Sequence, residues 1–549
     1  MMIGQEDNSV AKDLITRYEE LKAQKQPRVK ELDLIAKMYR PSRVGFCGQD
    51  ATRSNLDQLF NSATLQNAQQ ASASHYSTLA NQANKWFKVT TPDPDLRDVH
   101  EVKVWHDVVT SRMLASFRPA VSNFYSAAVP WLADTSILGT GFMVEDESQG
   151  RYKILDRCVS PVKAVFSANG EGVADEFGFP VMMSPIKAAR YYGYESLPKK
   201  ITEIIDADGA GARNDQHTYI QMYQPNDEYT PGHLGRKGQQ FLSTHVCVDA
   251  KAVVRQKGTY EQSFAIPRWD VSDDDDDAWG RGLGYLTLAS AIKLQIQEQQ
   301  NQQAGGLAAR PPIGTTGARA SRGMKMAPGA YMHGAISHTG QQLVRPIFTF
   351  NGLPITLEMG QQSIEEVEKG WLSALLTLQG RTGLNNLEVM ERTEERLRLS
   401  APYLGRTQNE GIAVILDRRF SLLWRAGQIP PPPDVLKGQP MDIEYTSVAA
   451  LAQKAQDGVA VSRVLQDTAE LSKVHPDPES VWDPVDTDYA QKVLVEARGA
   501  PEAVMRSPED IEARRAARAE AAQAAQAMEM AQQGVDVAGG LQQLEEGAP

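Results

Sequence analysis

Between Gly139 and Pro267 the spacing of apolar residues changes from helical to alternating, and after Leu283 it changes back. That switch constrains the fold more than any other feature, because it inserts a strand-rich body into an otherwise helical chain. Ahead of it, Leu14, Tyr18, Leu21 and then Val29, Leu32, Ile35 and Met38 recur at helical spacing. Pro27 is expected to divide this stretch into two helices and Pro41 to end the second. Residues 55–84 read as a helix rich in Ala, Ser and Gln, KWFKVTT at 85–91 as a short strand, and 96–134 as helix with Pro119 and Pro130 marking kinks or ends. Inside the inserted body, GFMVEDE, YKILDR, HTYIQMYQP and HVCVDAKAVVRQKG alternate as strands between glycine turns. A helix over 183–200 interrupts them, with Pro198 near its end.

After the switch, residues 283–304 form a glutamine-rich helix and 361–378 a second one. The intervening 305–360 carries glycines and prolines without a period, with FTFNGLPITL as a possible strand pair. Two such helices would pack antiparallel, the insert capping one end. Residues 386–427 form one long amphipathic pattern, bent by Pro402 and Gly405 and stopped by Gly427 and Pro430–Pro433. Helix is expected again over 446–472, and the Ala- and Gln-rich last fifty residues read as a solvated helix or tail. At 549 residues the chain exceeds one ordinary core, so two to four domains are expected.

Candidate chemistry is sparse. The run Asp273–Asp277 could hold a hard cation, but five adjacent carboxylates repel and do not converge; a solvated acidic loop is the stronger reading. Gly280, Gly282 and Gly284 lack the strand and the lysine of a phosphate loop, so a tight turn launching a helix is expected. His333 and His338 have no further ligand nearby, and Cys47, Cys158 and Cys247 are too scattered for metal or disulfide spacing, which fits a reducing compartment. Neither a signal peptide nor a membrane span is expected. With no catalytic motif present, no enzyme activity, cofactor or metal is expected. Arg418 and Arg419 read as part of an ion-pair-laced helix surface or helix–helix interface. The insert differs: Arg310, Arg319, Arg322, Lys325 and Arg345 occur with no acidic residue between 305 and 345. Such a basic insert could meet nucleic acid or an acidic partner. The net charge of -12 argues against a general nucleic-acid coat, yet allows DNA to pass without being gripped.

Several segments in order resemble the portal, or head-to-tail connecting, proteins of short-tailed bacteriophages. These are LFNSATLQNAQQASASHYSTLANQANKWFKVT; Pro267-Arg268-Trp269 followed by Trp279-Gly280-Arg281-Gly282-Leu283-Gly284 and the Gln-rich helix; PGAYMHG; the long run from Asn386 to Pro433; and IEYTSVAALAQKAQD. The resemblance covers roughly residues 10–490. The start of the long helix, Asn386-Leu387-Glu388-Val389, departs from the Thr-Ala-Glu-Glu pattern of many relatives, and the acidic run and the Ala-rich tail are peculiar to this chain.

The resemblance implies an α+β portal fold, mainly helical, with long stem helices and a small mixed-sheet wing, assembled as a ring of twelve copies around a DNA channel. It implies a wing over 1–282, stem helices over 283–304 and 361–378, and a clip over 305–360. It further implies a tunnel loop over 379–386, a long bent wing helix over 387–433, a crown over 434–500 and a C-terminal helical barrel or tail over 501–549. Gln379, Gly380, Arg381, Thr382 and Gly383 would face DNA in the tunnel loop, and the five basic residues of the insert would dock a tail adaptor. Viral double-stranded DNA, the terminase packaging motor, the tail adaptor, and the major capsid and scaffolding proteins would be the partners, at a capsid vertex of a virion assembled in the host cytoplasm. A helical scaffold or internal virion protein would share the long helices and the tail, but would lack the strand-rich body and the capped helix pair.

Overall fold

The computed structural model describes residues 8–47, 59–83, 85–97, 99–148, 153–207, 209–233, 235–271, 277–309, 312–315, 335–346, 353–371, 403–438, 441–445, 448–475, 477, 480–498, 504–506 and 509–525. The chain divides into two compact units: Met1–Asn84 with Ser116–Leu422, and Lys85–Ala115 with Leu423–Pro549.

In the first unit, helix α1 (Asn8–Tyr39) runs unbroken through Pro27, contrary to the expected division. Tertiary anchors on both sides of the proline hold it. Lys25 is buried and donates to the carbonyls of Pro161, Val162 and Ala164 at 2.5, 2.9 and 3.1 Å, while Arg28 pairs with Asp277 at 2.7 Å. Such contacts offset the missing N–H and the ring clash of a helical proline. Helices α2 (Ala63–Leu79) and α3 (Phe124–Leu138) follow in this unit, α2 starting later than the sequence suggests and α3 containing Pro130.

The strand-rich body has two sheets. β1 (Phe142–Glu147) lies between β2 (Ile154–Val159) and the short β8 (Phe264–Ala265). The second sheet is a five-stranded meander in chain order: β3 (Val165–Ala168), β4 (Ala174–Met183), β5 (His217–Pro225), β6 (Phe241–Cys247) and β7 (Ala252–Thr259). Every named ladder in them is antiparallel, which corrects the expected mixed sheet: most strands here join neighbours through short turns, and short connections permit only antiparallel pairing. Alternation along β5 explains the two covers. Ile220 and Met222 meet Leu14, Tyr18 and Leu21 of α1, while Tyr219 faces Ala188 and Ile201. The latter belong to α4 (Pro185–Tyr192) and α5 (Lys199–Asp206), two short helices where one was expected. Pro198 does not end a helix there; it stands immediately before α5 as its N-cap.

Past the acidic run, a single turn (Leu283–Leu286) leads into α6 (Leu288–Ala309), and α7 is Leu353–Gly370. Between them β9 (Ile313–Thr315) pairs antiparallel with β10 (Val344–Pro346). The expected strand in FTFNGLPITL is corrected: Leu353 to Leu357 belong to α7, with Pro354 in its first turn, where a proline costs no hydrogen bond. Of the long pattern over 386–427, helix is described from 403 to Arg425. It carries a π turn at Gln408–Ile412, with Gly405 in regular helix before it, and α8 (Ala413–Arg425) continues it; Pro402, the other expected bend, lies outside the described residues. Gly427 follows at φ +65, a left-handed residue that suits glycine. One aromatic core joins these parts: Phe142 stacks on Phe177 at 5.5 Å, with Trp279 edge-on to Phe142 at 5.4 Å. Leu32 and Ile35 of α1, Leu294 of α6, and Val367 and Trp371 complete it.

In the second unit, strand Phe87–Thr90 pairs antiparallel with Asp442–Tyr445. Helix His100–Ser116 carries Trp105, whose indole N–H donates to the Pro430 carbonyl at 3.0 Å. Helices Val448–Val474 and Thr487–Ala497 pack closely where Gly458 meets Ala497, since a Cβ on that glycine would fall 2.5 Å from the Ala497 Cβ. Residues 509–525 form an exposed helix, as the composition suggested.

Candidate functional site

The α6–α7 hairpin is antiparallel, as its contacts show. Lys293 Nζ lies 2.9 Å from Glu366, Gly360 sits against Asn301, and Gly370 against Thr287. Ala291, Leu294 and Asn301 form the buried stripe of α6, with Thr287 just ahead of it, opposite Ser363 and Val367 of α7 and Trp371 just past its end. The stripe follows from residues spaced three and four apart. Gln295 is buried too: its Oε1 accepts the Phe60 and Asn61 N–H groups at 2.7 and 3.0 Å, and its Nε2 donates to the Asn61 carbonyl at 2.9 Å. One glutamine of the polar helix thus fixes the entry to α2.

At the foot of the hairpin the glycines have a steric role. A Cβ on Gly280 would stand 2.2 Å from the Gly139 carbonyl oxygen, and Cβ atoms on Gly282 and Gly284 would stand 2.6 and 2.5 Å from the Ile137 carbonyl oxygen. Gly139 itself ends α3 at φ +93. The Gly-rich turn is therefore the seat of α6 on the C-terminal end of α3, as the launching-turn reading expected. Around it, the Trp269 N–H donates to the Gly139 carbonyl at 2.8 Å, the Gly280 N–H to Thr140 Oγ1 at 2.9 Å, and the Tyr39 hydroxyl to Thr287 Oγ1 at 2.7 Å. Of the acidic run, Asp277 is described, and it is engaged rather than solvated: it pairs with Arg28 and accepts the Trp279 N–H at 3.1 Å. Asp273 to Asp276 lie outside the described residues.

Of the expected docking residues, Arg345 lies exposed on β10, opposite Gly314. Arg310, Arg319, Arg322 and Lys325 lie outside the described residues, as do Gln379, Gly380, Arg381, Thr382 and Gly383. Acids and amides outnumber the exposed lysines, Lys293 and Lys369, on the outward surface of the hairpin. Glu358, Gln361, Gln362, Glu365, Glu366 and Glu368 are exposed on α7, and Gln299, Gln300, Gln302 and Gln303 on α6. Among the described residues no group of three or more His, Cys, Asp or Glu could hold a metal ion. No described helix is long and apolar enough to cross a membrane.

Among the ion clusters in the described residues, two hold the long helix, and the sequence reading missed both. Arg419 is fully buried and reaches Glu145 at 2.7 Å and Asp156 at 2.6 Å. Its guanidinium also donates to Ser122 Oγ at 3.0 Å and the Ser116 carbonyl at 3.1 Å. Arg418 pairs with Glu261 at 3.2 Å. These arginines tie the long helix to the strands rather than lacing a surface. Burial pushes Glu145 up, with Arg419 opposing the shift and Asp156 adding to it. The signal was available: both arginines fall among Ile415, Leu416, Leu422 and Leu423, an apolar setting that a solvated charge avoids. The second cluster joins Arg268 to Glu410, at 2.8 Å.

The chain belongs to the family of bacteriophage head to tail connecting proteins, whose pattern matches residues 11–505. It is 26% identical over 487 residues to a portal protein of Salmonella phage epsilon15, covering 86% of this chain and 84% of that one. It is 22% identical over 487 residues to a probable portal protein of Bordetella phage BPP-1, covering 86% of this chain and 85% of the other. A solved neck of a native GTA particle, computed with C12 symmetry, aligns at 10% identity over 70% of this chain and 94% of that one, with a TM-score of 0.30, too low to carry an argument about topology.

Proposed function

We propose that this chain is a portal protein: a ring subunit whose copies line a channel at a capsid vertex, through which viral double-stranded DNA is packaged and later ejected. The single observation that carries the reading is the likeness to a portal protein and a probable portal protein along 487 residues, most of either chain. In this reading α6 and α7 are stem helices, the segment between them is the clip that docks a tail adaptor through Arg310, Arg319, Arg322, Lys325 and Arg345, and residues 379–386 are the tunnel loop. The packaging motor, the tail adaptor, and the capsid and scaffolding proteins are then its partners at the vertex.

The acidic, amide-rich face of the hairpin supports the reading physically. Each phosphate that a protein neutralises releases counterions and adds affinity, so a conduit that must let DNA slide is served by carboxylates and amides rather than by lysines. A head-to-tail contact between copies must also close on itself to give a ring instead of a filament.

Electron microscopy of the purified protein, with its mass in solution, tests the proposal. Twelve copies of a 60.4 kDa chain make roughly 720 kDa. Closed rings with a hole that admits a duplex of about 20 Å are expected. Filaments, or a compact dimer that persists at high concentration, would overturn the reading in favour of a scaffold or internal virion protein.

A further inference from the structure

The helix described from 403 to Arg425 is held unequally on the two sides of its π turn, Gln408–Ile412. On the C-terminal side, Arg418 and Arg419 are anchored by Glu261, Glu145 and Asp156. The N-terminal side is held by an aromatic stack, and the turn itself by a carboxylate. Tyr403 lies on Trp269 with ring centres 5.0 Å apart and planes 8° from parallel. Glu410 accepts the Arg268 backbone N–H at 3.0 Å, Arg268 Nε and Nη2 at 2.9 and 2.8 Å, and Arg406 Nε at 2.8 Å. Inside the turn, Gly411 presses on a wall where a Cβ would stand 3.1 Å from both Pro267 and Trp131. A π turn is rare and occurs as a single-turn bulge inside an α-helix, and a sparsely populated conformation persists where its surroundings over-determine it. Here those surroundings are the Arg268–Glu410 contact and the glycine packing.

We propose that Gln408–Ile412 is a one-residue register switch in the long helix, held in its π form by the Arg268–Glu410 latch. When the latch opens, the turn relaxes to α geometry. Because the Arg418–Arg419 half is anchored, residues 403–407 are the part that moves, outward by about 1.5 Å and around the axis by about 100°. Arg268 and Trp269 also line the seat of α6: Arg268 bridges to Thr140, and Trp269 bonds Gly139. A shift of that seat therefore biases the latch, and a shift of the long helix biases the seat. The inference stands apart from the portal reading, because its test reads a distance within one chain.

The test places nitroxide labels at Leu404→Cys and at Val129→Cys, an exposed position on α3, in a Cys47→Ser background. Labelled chain is diluted into unlabelled chain and the separation is measured by pulsed dipolar spectroscopy. The parent is expected to give one distance. Glu410→Gln and Arg268→Lys, which weaken the latch, are each expected to add a second population displaced by several ångströms. Deleting Asn409 removes the extra residue of the turn, so in the Glu410→Gln background it is expected to abolish the second population. A single parental distance in both latch variants would overturn the proposal, and so would a second population that survives the deletion. If the deletion variant does not fold, the two latch variants still decide.

Discussion

At the residue scale, the seat of the hairpin depends on an absent methyl group. Gly280→Ala would drive a Cβ to 2.2 Å from the Gly139 carbonyl oxygen, and backbone lies on both sides, so neither can yield cheaply. We expect a loss of about 3 kcal/mol or more in urea unfolding, at the upper end for single substitutions. Buried histidines set an acid limit of a different kind. Burial pulls His75 down to about 4 and His245 down to about 3. Each imidazole is neutral when folded but binds a proton in the unfolded chain below about pH 6.5. The unfolded state therefore takes up more protons as pH falls. The stabilisation is full above pH 6.5 and is lost as pH drops through 4, on the order of 3 kcal/mol for His75 alone. Urea midpoints measured from pH 7.5 to 4 should fall steadily, and His75→Phe should flatten part of that slope.

At the scale of elements, the long helix is fixed to the strand body by charge as well as by apolar packing. Arg419→Met would leave Glu145 and Asp156 buried without their cation, and a loss of about 3–5 kcal/mol is expected in chemical unfolding. The exposed Lys293–Glu366 pair on the hairpin is the contrast: Glu366→Gln should change stability by less than about 1 kcal/mol, because water and salt screen that pair. Comparing the two variants in the same assay separates a buried brace from a surface contact. How much of these elements the sequence disclosed follows from what each depends on. The hairpin, the glycine launch and the extent of the strand-rich body were legible, since periodicity and turn residues are local signals; the antiparallel order of its strands was not. The unbroken α1 was not, because Pro27 is overruled by Lys25 and Arg28, whose partners lie more than a hundred residues away. The π turn was not legible either. Gly405 looked like the weak point, but Gly411 is the glycine with a wall against it.

At the scale of the whole molecule, the net charge of -12 and the carboxylates along α7 bear on DNA passage. Replacing Glu365 and Glu368 by lysine in every copy would line the proposed channel with cations. DNA translocation should then slow in a packaging assay, most strongly at low salt, while ring assembly in electron micrographs stays unchanged. Unaltered translocation at low salt would place that face of α7 away from the DNA path.

The sequence by itself determined most of the helical stretches, where the strand-rich body begins and ends, that Gly280–Gly284 launches a helix, and, through several motifs in order, the family. Those properties reside in neighbouring residues, so they survive reading one segment at a time. Tertiary structure alone decided that Asp277 is paired while looking like part of a solvated run, and that Arg418 and Arg419 lie inside. It also decided that Phe87–Thr90 finds its partner strand at Asp442–Tyr445. Each of these is a pairing between residues more than a hundred positions apart, and the energy that selects it, removal of charge or backbone from water, exists only once the chain has closed around it.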